Sequence, residues 1–100
     1  MYTATMRYTF TERGFEGGCA LWKSLILERA RSAPGMVRMQ FLTAKPVALA
    51  IGTWREKADA EAFMRTGVFK ELTATLGPIL EGQPKPELWE LSAFAEGERT

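Results

Sequence analysis

Val47-Ala48-Leu49-Ala50-Ile51-Gly52-Thr53-Trp54 carries no charge, and both of its faces are apolar apart from Thr53. A β-strand sends alternate side chains to opposite sides, so this run reads as a strand that needs cover on both. A sheet with one fully wetted face does not satisfy it. The rest of the chain has to supply one cover, and something further has to supply the second.

Residues 2–11 alternate without error. Tyr2, Ala4, Met6, Tyr8 and Phe10 fall on one face, and Thr3, Thr5, Arg7, Thr9 and Thr11 on the other. Period two with aromatic and β-branched residues predicts a strand with one face in a core. After the glycine-rich turn 12–18, Leu21, Trp22, Leu25, Ile26 and Ala30 recur at helical spacing, which predicts a helix from Phe15 or Gly18 to Ser32. Ala33-Pro34-Gly35 stops it. Met36–Thr43 reads as a second strand with Val37, Met39 and Phe41 on one face and Met36, Arg38, Gln40 and Leu42 on the other. Ala44-Lys45-Pro46 is a hairpin-sized link to the strand 47–54.

A second helix begins near Glu56. Its predicted inner stripe is Ala58, Ala62, Phe63, Phe69, Leu72 and Leu76, with an interruption at Gly67 and an end at Gly77-Pro78. Gln83–Pro86 leads into a last strand, Glu87–Phe94. The domain spans 1–95, and 96–100 is a polar tail expected to fray. The order is β-α-β-β-α-β, the ferredoxin-like split βαβ plan of the α+β class, with a four-stranded antiparallel sheet and two helices on one face. The helices cover one side of strand 47–54. A second copy, sheet against sheet, is the economical cover for the other, and the expectation is a homodimer.

Composition narrows the chemistry. A net charge of +1 with scattered Lys and Arg gives no electrostatic case for nucleic acid. No apolar run is long enough to span a bilayer, and MYTATMRYTF lacks the organisation of a signal peptide, so the expected location is cytoplasmic. Cys19 is the sole cysteine and there is no histidine. That removes disulfides, multi-cysteine metal sites, the commonest general base and every Ser-His or Cys-His pair. The expectation is no metal and no cofactor. Beside Gly17-Gly18, near a helix start, Cys19 reads as a structural residue despite a position that favours thiolate.

Two stretches resemble the antibiotic-biosynthesis-monooxygenase-like family of dimeric α+β-barrel proteins. One is Ala33-Pro34-Gly35-Met36, the step from first helix to second strand. The other is Thr53-Trp54-Arg55-Glu56 with Ala62-Phe63-Met64 and Gly67-Val68-Phe69-Lys70-Glu71-Leu72. The resemblance implies the ferredoxin-like fold and the dimer. In heme-degrading members, the second helix supplies a tryptophan and then an iron-ligating histidine. Phe63 and Thr73 stand at those positions, and threonine is no substitute ligand, so heme degradation is not expected. In quinone-forming members, an asparagine shortly before the strand-ending tryptophan helps hold the substrate anion. Trp54 matches the tryptophan and Ala50 replaces the asparagine.

The resulting expectation is a small cofactor-independent monooxygenase acting on an aromatic or quinol-type molecule between helices and sheet. Trp54, Trp22 and Phe63 would form the walls, with Met39 and Phe41 beside them. Arg38 or Arg7, with Tyr8, would steady a developing oxyanion. Each aromatic also has a plain core role and each arginine a plain ion-pair role. The alternative is a non-catalytic homodimer of the same fold that binds a small apolar ligand or is purely structural.

Overall fold

The computed structural model describes residues 1–98. Strands β1 (Tyr2–Thr9), β2 (Met36–Ala44), β3 (Val47–Trp54) and β4 (Lys85–Glu90) form one antiparallel sheet in the order β2-β3-β1-β4. The first helix runs without a break through α1 (Phe15–Trp22), a π-helical turn (Lys23–Leu27) and α2 (Glu28–Arg31). The second is split into α3 (Lys57–Met64) and α4 (Val68–Leu76), followed by a 3-10 turn (Gly77–Ile79). This is the ferredoxin-like plan read from the sequence. Among the described residues, no helix is long and apolar enough to cross a membrane.

The π-helical turn has a packing reason. Trp22, Ile26 and Ala30 are all buried and recur at steps of four. On an ideal α-helix each such step advances by ~40° around the axis, carrying the stripe off the sheet. A wider turn between the first two absorbs that drift and keeps all three on the core.

In the second helix the inner stripe differs from the expected one. Ala60 and Phe63 are buried on α3, while Ala58 and Ala62 are exposed. Gly67 breaks the helix with φ +89°, a left-handed conformation that only glycine adopts without strain. The break resets the helical phase, and Val68, Leu72 and Leu76 carry the buried stripe of α4.

Strand β2 carries the other correction. The pairing Met36↔Trp54 is followed by Arg38↔Thr53, so Val37 is the extra residue of a β-bulge. Met36 therefore joins Met39 and Phe41 against the core, and Val37 is 43% exposed instead of sharing their face. Alternation counted straight through the strand assigns both residues to the wrong side.

Strand β1 stops at Thr9, with Phe10 bridging Leu80, instead of continuing to residue 11. Strand β4 begins before Glu87 and ends before Phe94. Pro86 is accommodated because β4 is an edge strand. Beyond Glu90 the regular strand ends, though the Leu91 N–H still donates to the Met1 carbonyl at 2.9 Å and Glu96 reaches Arg38 at 3.6 Å. Glu96 of the tail thus lies beside the sheet, and residues 99–100 fall outside the described part.

The sheet is covered unequally. On the helix side of β3, Ala48, Ala50, Gly52 and Trp54 are buried, while Val47, Leu49, Ile51 and Thr53 on the other side are only half-buried. That second side also presents exposed Leu42 and Trp89.

Candidate functional site

The helix-facing side of β3 is Ala48, Ala50, Gly52, Trp54, a row of small residues ended by one large one. Small side chains mid-sheet leave space under the helices, and the large aromatic closes one end. Gly52 has a steric role. A Cβ there would stand 2.9 Å from the Met39 methyl and 3.3 Å from Trp54 Nε1, so glycine lets both side chains settle over the strand without the methionine end moving aside.

Aromatic side chains from both helices and two strands close in. The Trp54 and Phe63 rings are 4.9 Å apart and tilted by 41°, and Phe63 meets Phe69 edge-to-face at 5.5 Å. On the other side Trp22 stacks flat on Phe41, with centroids 4.1 Å apart. The Trp54–Phe63 and Phe63–Phe69 separations lie in the favourable range for aromatic pairs, and the Trp22–Phe41 stack is closer still. A cavity of about 30 Å³ remains, floored by Ala4, Ala50 and Gly52. Met6, Met39 and Met64 contribute flexible walls, and Met64 and Phe69 stand on either side of the Gly67 break. That volume exceeds the ~10–15 Å³ that a single water needs and is too little for an aromatic ring.

The polar groups on this side are few and uncharged. Tyr8 is 1% exposed, and burial pushes its phenol up to about 12, opposed in small part by the nearby Trp22 indole. It stays protonated through the neutral range, a donor rather than a base. The Trp22 N–H lies near the Tyr8 oxygen without completing a hydrogen bond, leaving a buried nitrogen without a partner. Cys19 is buried within α1, and burial raises its thiol, which removes the thiolate that its position near a helix start suggested. Among the described residues, no three His, Cys, Asp or Glu side chains gather to hold a metal.

The structure brings Trp22, Met39, Phe41, Trp54 and Phe63 into one space, with Tyr8 in the same core. It separates the two arginines from them. Arg7 pairs with Leu49 and Arg38 with Thr53, both on the sheet side away from the helices. Arg38 instead contacts Glu96. The reason is register: Arg7 sits on the threonine face of β1, and Arg38, which alternates with core-facing Met39 and pairs with Thr53, falls on the same side. Neither faces the helix–sheet space within this chain. Ala4, Met6, Met64 and Phe69 also line that space, though the sequence reading left them out of the site. The small residues at positions 48, 50 and 52 were the available signal for a void.

No protein-family profile matches the chain, and no curated protein sequence matches it. Solved structures do. A crystal structure of an antibiotic biosynthesis monooxygenase superposes with a TM-score of 0.78 at 14% identity, over 93% of this chain and 100% of the other. A monooxygenase from the gene ActVA-Orf6 of Streptomyces coelicolor, in complex with the ligand nanaomycin D, gives 0.74 at 16% identity over 96% and 92%. SnoaB, a cofactor-independent oxygenase from Streptomyces nogalater, gives 0.68 at 17% identity over 93% and 94%. The same fold is also held by a protein of unknown function. At these identities the likeness is one of fold. The chain has the antibiotic-biosynthesis-monooxygenase-like, ferredoxin-like α+β fold.

Proposed function

We propose that this chain is a cofactor-independent monooxygenase that oxidises a small aromatic or quinol-type molecule between helices and sheet, working as a homodimer. The observation that carries the proposal is the Trp54–Phe63–Phe69 cluster over a floor of Ala and Gly, on a fold shared with named oxygenases. A ring enters this space by displacing side chains at its mouth. Met64 and Phe69 line this space on either side of the helix break, and Met6, Met39 and Met64 can repack around a planar guest.

The reaction suits a site without charge. A substrate whose activated CH₂ flanks aromatic rings gives up two hydrogens to one atom of dioxygen and takes the other as a carbonyl, R₂CH₂ + O₂ → R₂C=O + H₂O. Carbon loses four electrons and dioxygen gains four, so no reductant is needed. The protein's part is to bind the substrate dry and stabilise its oxyanion. Arg7 and Arg38 do not face the cleft, so the donor over its floor is the Trp54 indole N–H, with the Tyr8 hydroxyl and the Trp22 N–H buried in the adjoining core.

The dimer rests on the outer sheet face. Leu42 pairs with Leu49, Ile51 lies beside them, and Leu42 and Trp89 are 46% and 55% exposed. A second copy is the cover of matching chemistry.

One observation favours the alternative, a non-catalytic dimer that binds a small apolar ligand or is purely structural: the aromatics nearly fill the space, leaving about 30 Å³. Oxygen uptake with a panel of anthrones and hydroquinones separates the two. The enzyme reading expects uptake above the protein-free rate, reduced in Trp54→Phe and retained in Arg38→Ala. Equal rates with and without protein support the non-catalytic dimer.

A further inference from the structure

We infer that the cavity over Ala50 and Gly52 is a resident site for one small apolar molecule, and that on the oxygenase reading, on which this assignment rests, the molecule is dioxygen. The argument begins with size. About 30 Å³ admits one water-sized or diatomic molecule. The organic substrate must displace side chains to enter, whereas a diatomic guest need not.

Lining chemistry then separates dioxygen from water. A buried water needs two to four polar partners, roughly three on average. The side chains around this cavity are Ala, Met, Phe and Trp, apart from Thr5. Thr5 Oγ1 is occupied elsewhere, accepting from Trp89 Nε1 at 3.4 Å on the opposite sheet face, so Thr5 offers the cavity only backbone. The remaining polar side-chain groups are indole N–H donors, and no side-chain oxygen is present to accept water's own hydrogens. Dioxygen requires no such partner and is more soluble in apolar surroundings than in water.

Position gives the site its use. It lies against Trp54 and Phe63, the pair proposed as the substrate's wall. A substrate stacked on that wall would meet dioxygen held over Ala50 and Gly52. Preloading the gas in a dry space replaces a chance encounter by a positioned one.

The methionines make the test direct. The chain has five. Met6, Met39 and Met64 line the cavity, whereas Met36 packs elsewhere and Met1 is 50% exposed. With methyl-¹³C methionine and NMR under oxygen pressure, paramagnetic relaxation should be greatest at Met39 and Met6. It should exceed that at exposed Met1 and be lost in Ala50→Val, which fills the floor. Ala4→Leu serves as the second filling variant if the first does not fold, with Tm confirming the fold of each. Relaxation that simply follows exposure, with Met1 highest, would overturn the site, as would a water-to-Met39 cross-relaxation signal without oxygen enhancement. The readout needs no turnover. A protein that gathers oxygen yet oxidises nothing keeps the site and loses the oxygenase reading, and turnover without enhancement does the reverse.

Discussion

The Trp22 indole lies flat on the Phe41 ring, centroids 4.1 Å apart and planes 16° from parallel. This contact helps tie the first helix to β2, an edge strand whose only strand neighbour is β3. It also sets one wall of the helix–sheet space.

Phe41→Ala should therefore cost more than its partial exposure suggests. Burying less than a full Phe lowers the usual loss, while removing the stack from a wholly buried Trp22 raises it. The expected destabilisation is about 2–4 kcal/mol, read from urea unfolding. A loss under about 0.5 kcal/mol, the range of an ordinary surface change, would mean that the contact is incidental.

Tyr8 predicts a pH dependence at the alkaline end. Its folded pKa is raised from 10.0 to about 12 by burial. Above the unfolded value, the unfolded chain loses a proton that the folded chain keeps. The contribution is fully present below pH ~10 and is lost as pH rises through ~12, about 2–3 kcal/mol in all. Unfolding free energy measured between those limits should fall in the wild type and fall less in Tyr8→Phe. Parallel profiles for the two proteins would show that another group carries the slope.

The outer sheet face predicts an assembly change. Ile51→Lys places a charge beside Leu49 and opposite Thr5, amid the half-buried apolar surface, without touching the helix side. Sedimentation at micromolar concentration should show a dimer for the wild type and a shift toward the single-chain mass for the variant. A wild type sedimenting as a single chain would refute the dimer.

Gly67 holds φ +89° between α3 and α4, with no heavy atom near enough to crowd a Cβ. Gly67→Ala should cost about 1–2 kcal/mol through backbone strain alone, measured as a lower midpoint in urea. An unchanged midpoint would show that the segment relaxes without penalty.

How much of this was legible in the sequence follows from which rules are local. Strand 47–54 and the alternation from Tyr2 to Phe10 follow from period two, and the break at Gly67 from glycine's special backbone. The bulge at Val37 depends on pairing with β3, which no strand reveals by itself, and it moved Met36 to the core. The phase change across Gly67 likewise moved burial from Ala58 and Ala62 to Ala60 and Val68. For the site, the large aromatics announced themselves. Its limits did not, because volume is what remains after side chains pack, and Arg7 and Arg38 could be assigned a side only once the register was known.

The measurement closest to the central claim is oxidation of an anthrone under ¹⁸O₂, with and without protein, followed by mass spectrometry. The account predicts one labelled oxygen in the ketone formed, at a rate above the protein-free reaction, with the excess reduced in Trp54→Phe and retained in Arg38→Ala. Ketone formed at the protein-free rate in all three proteins would contradict it.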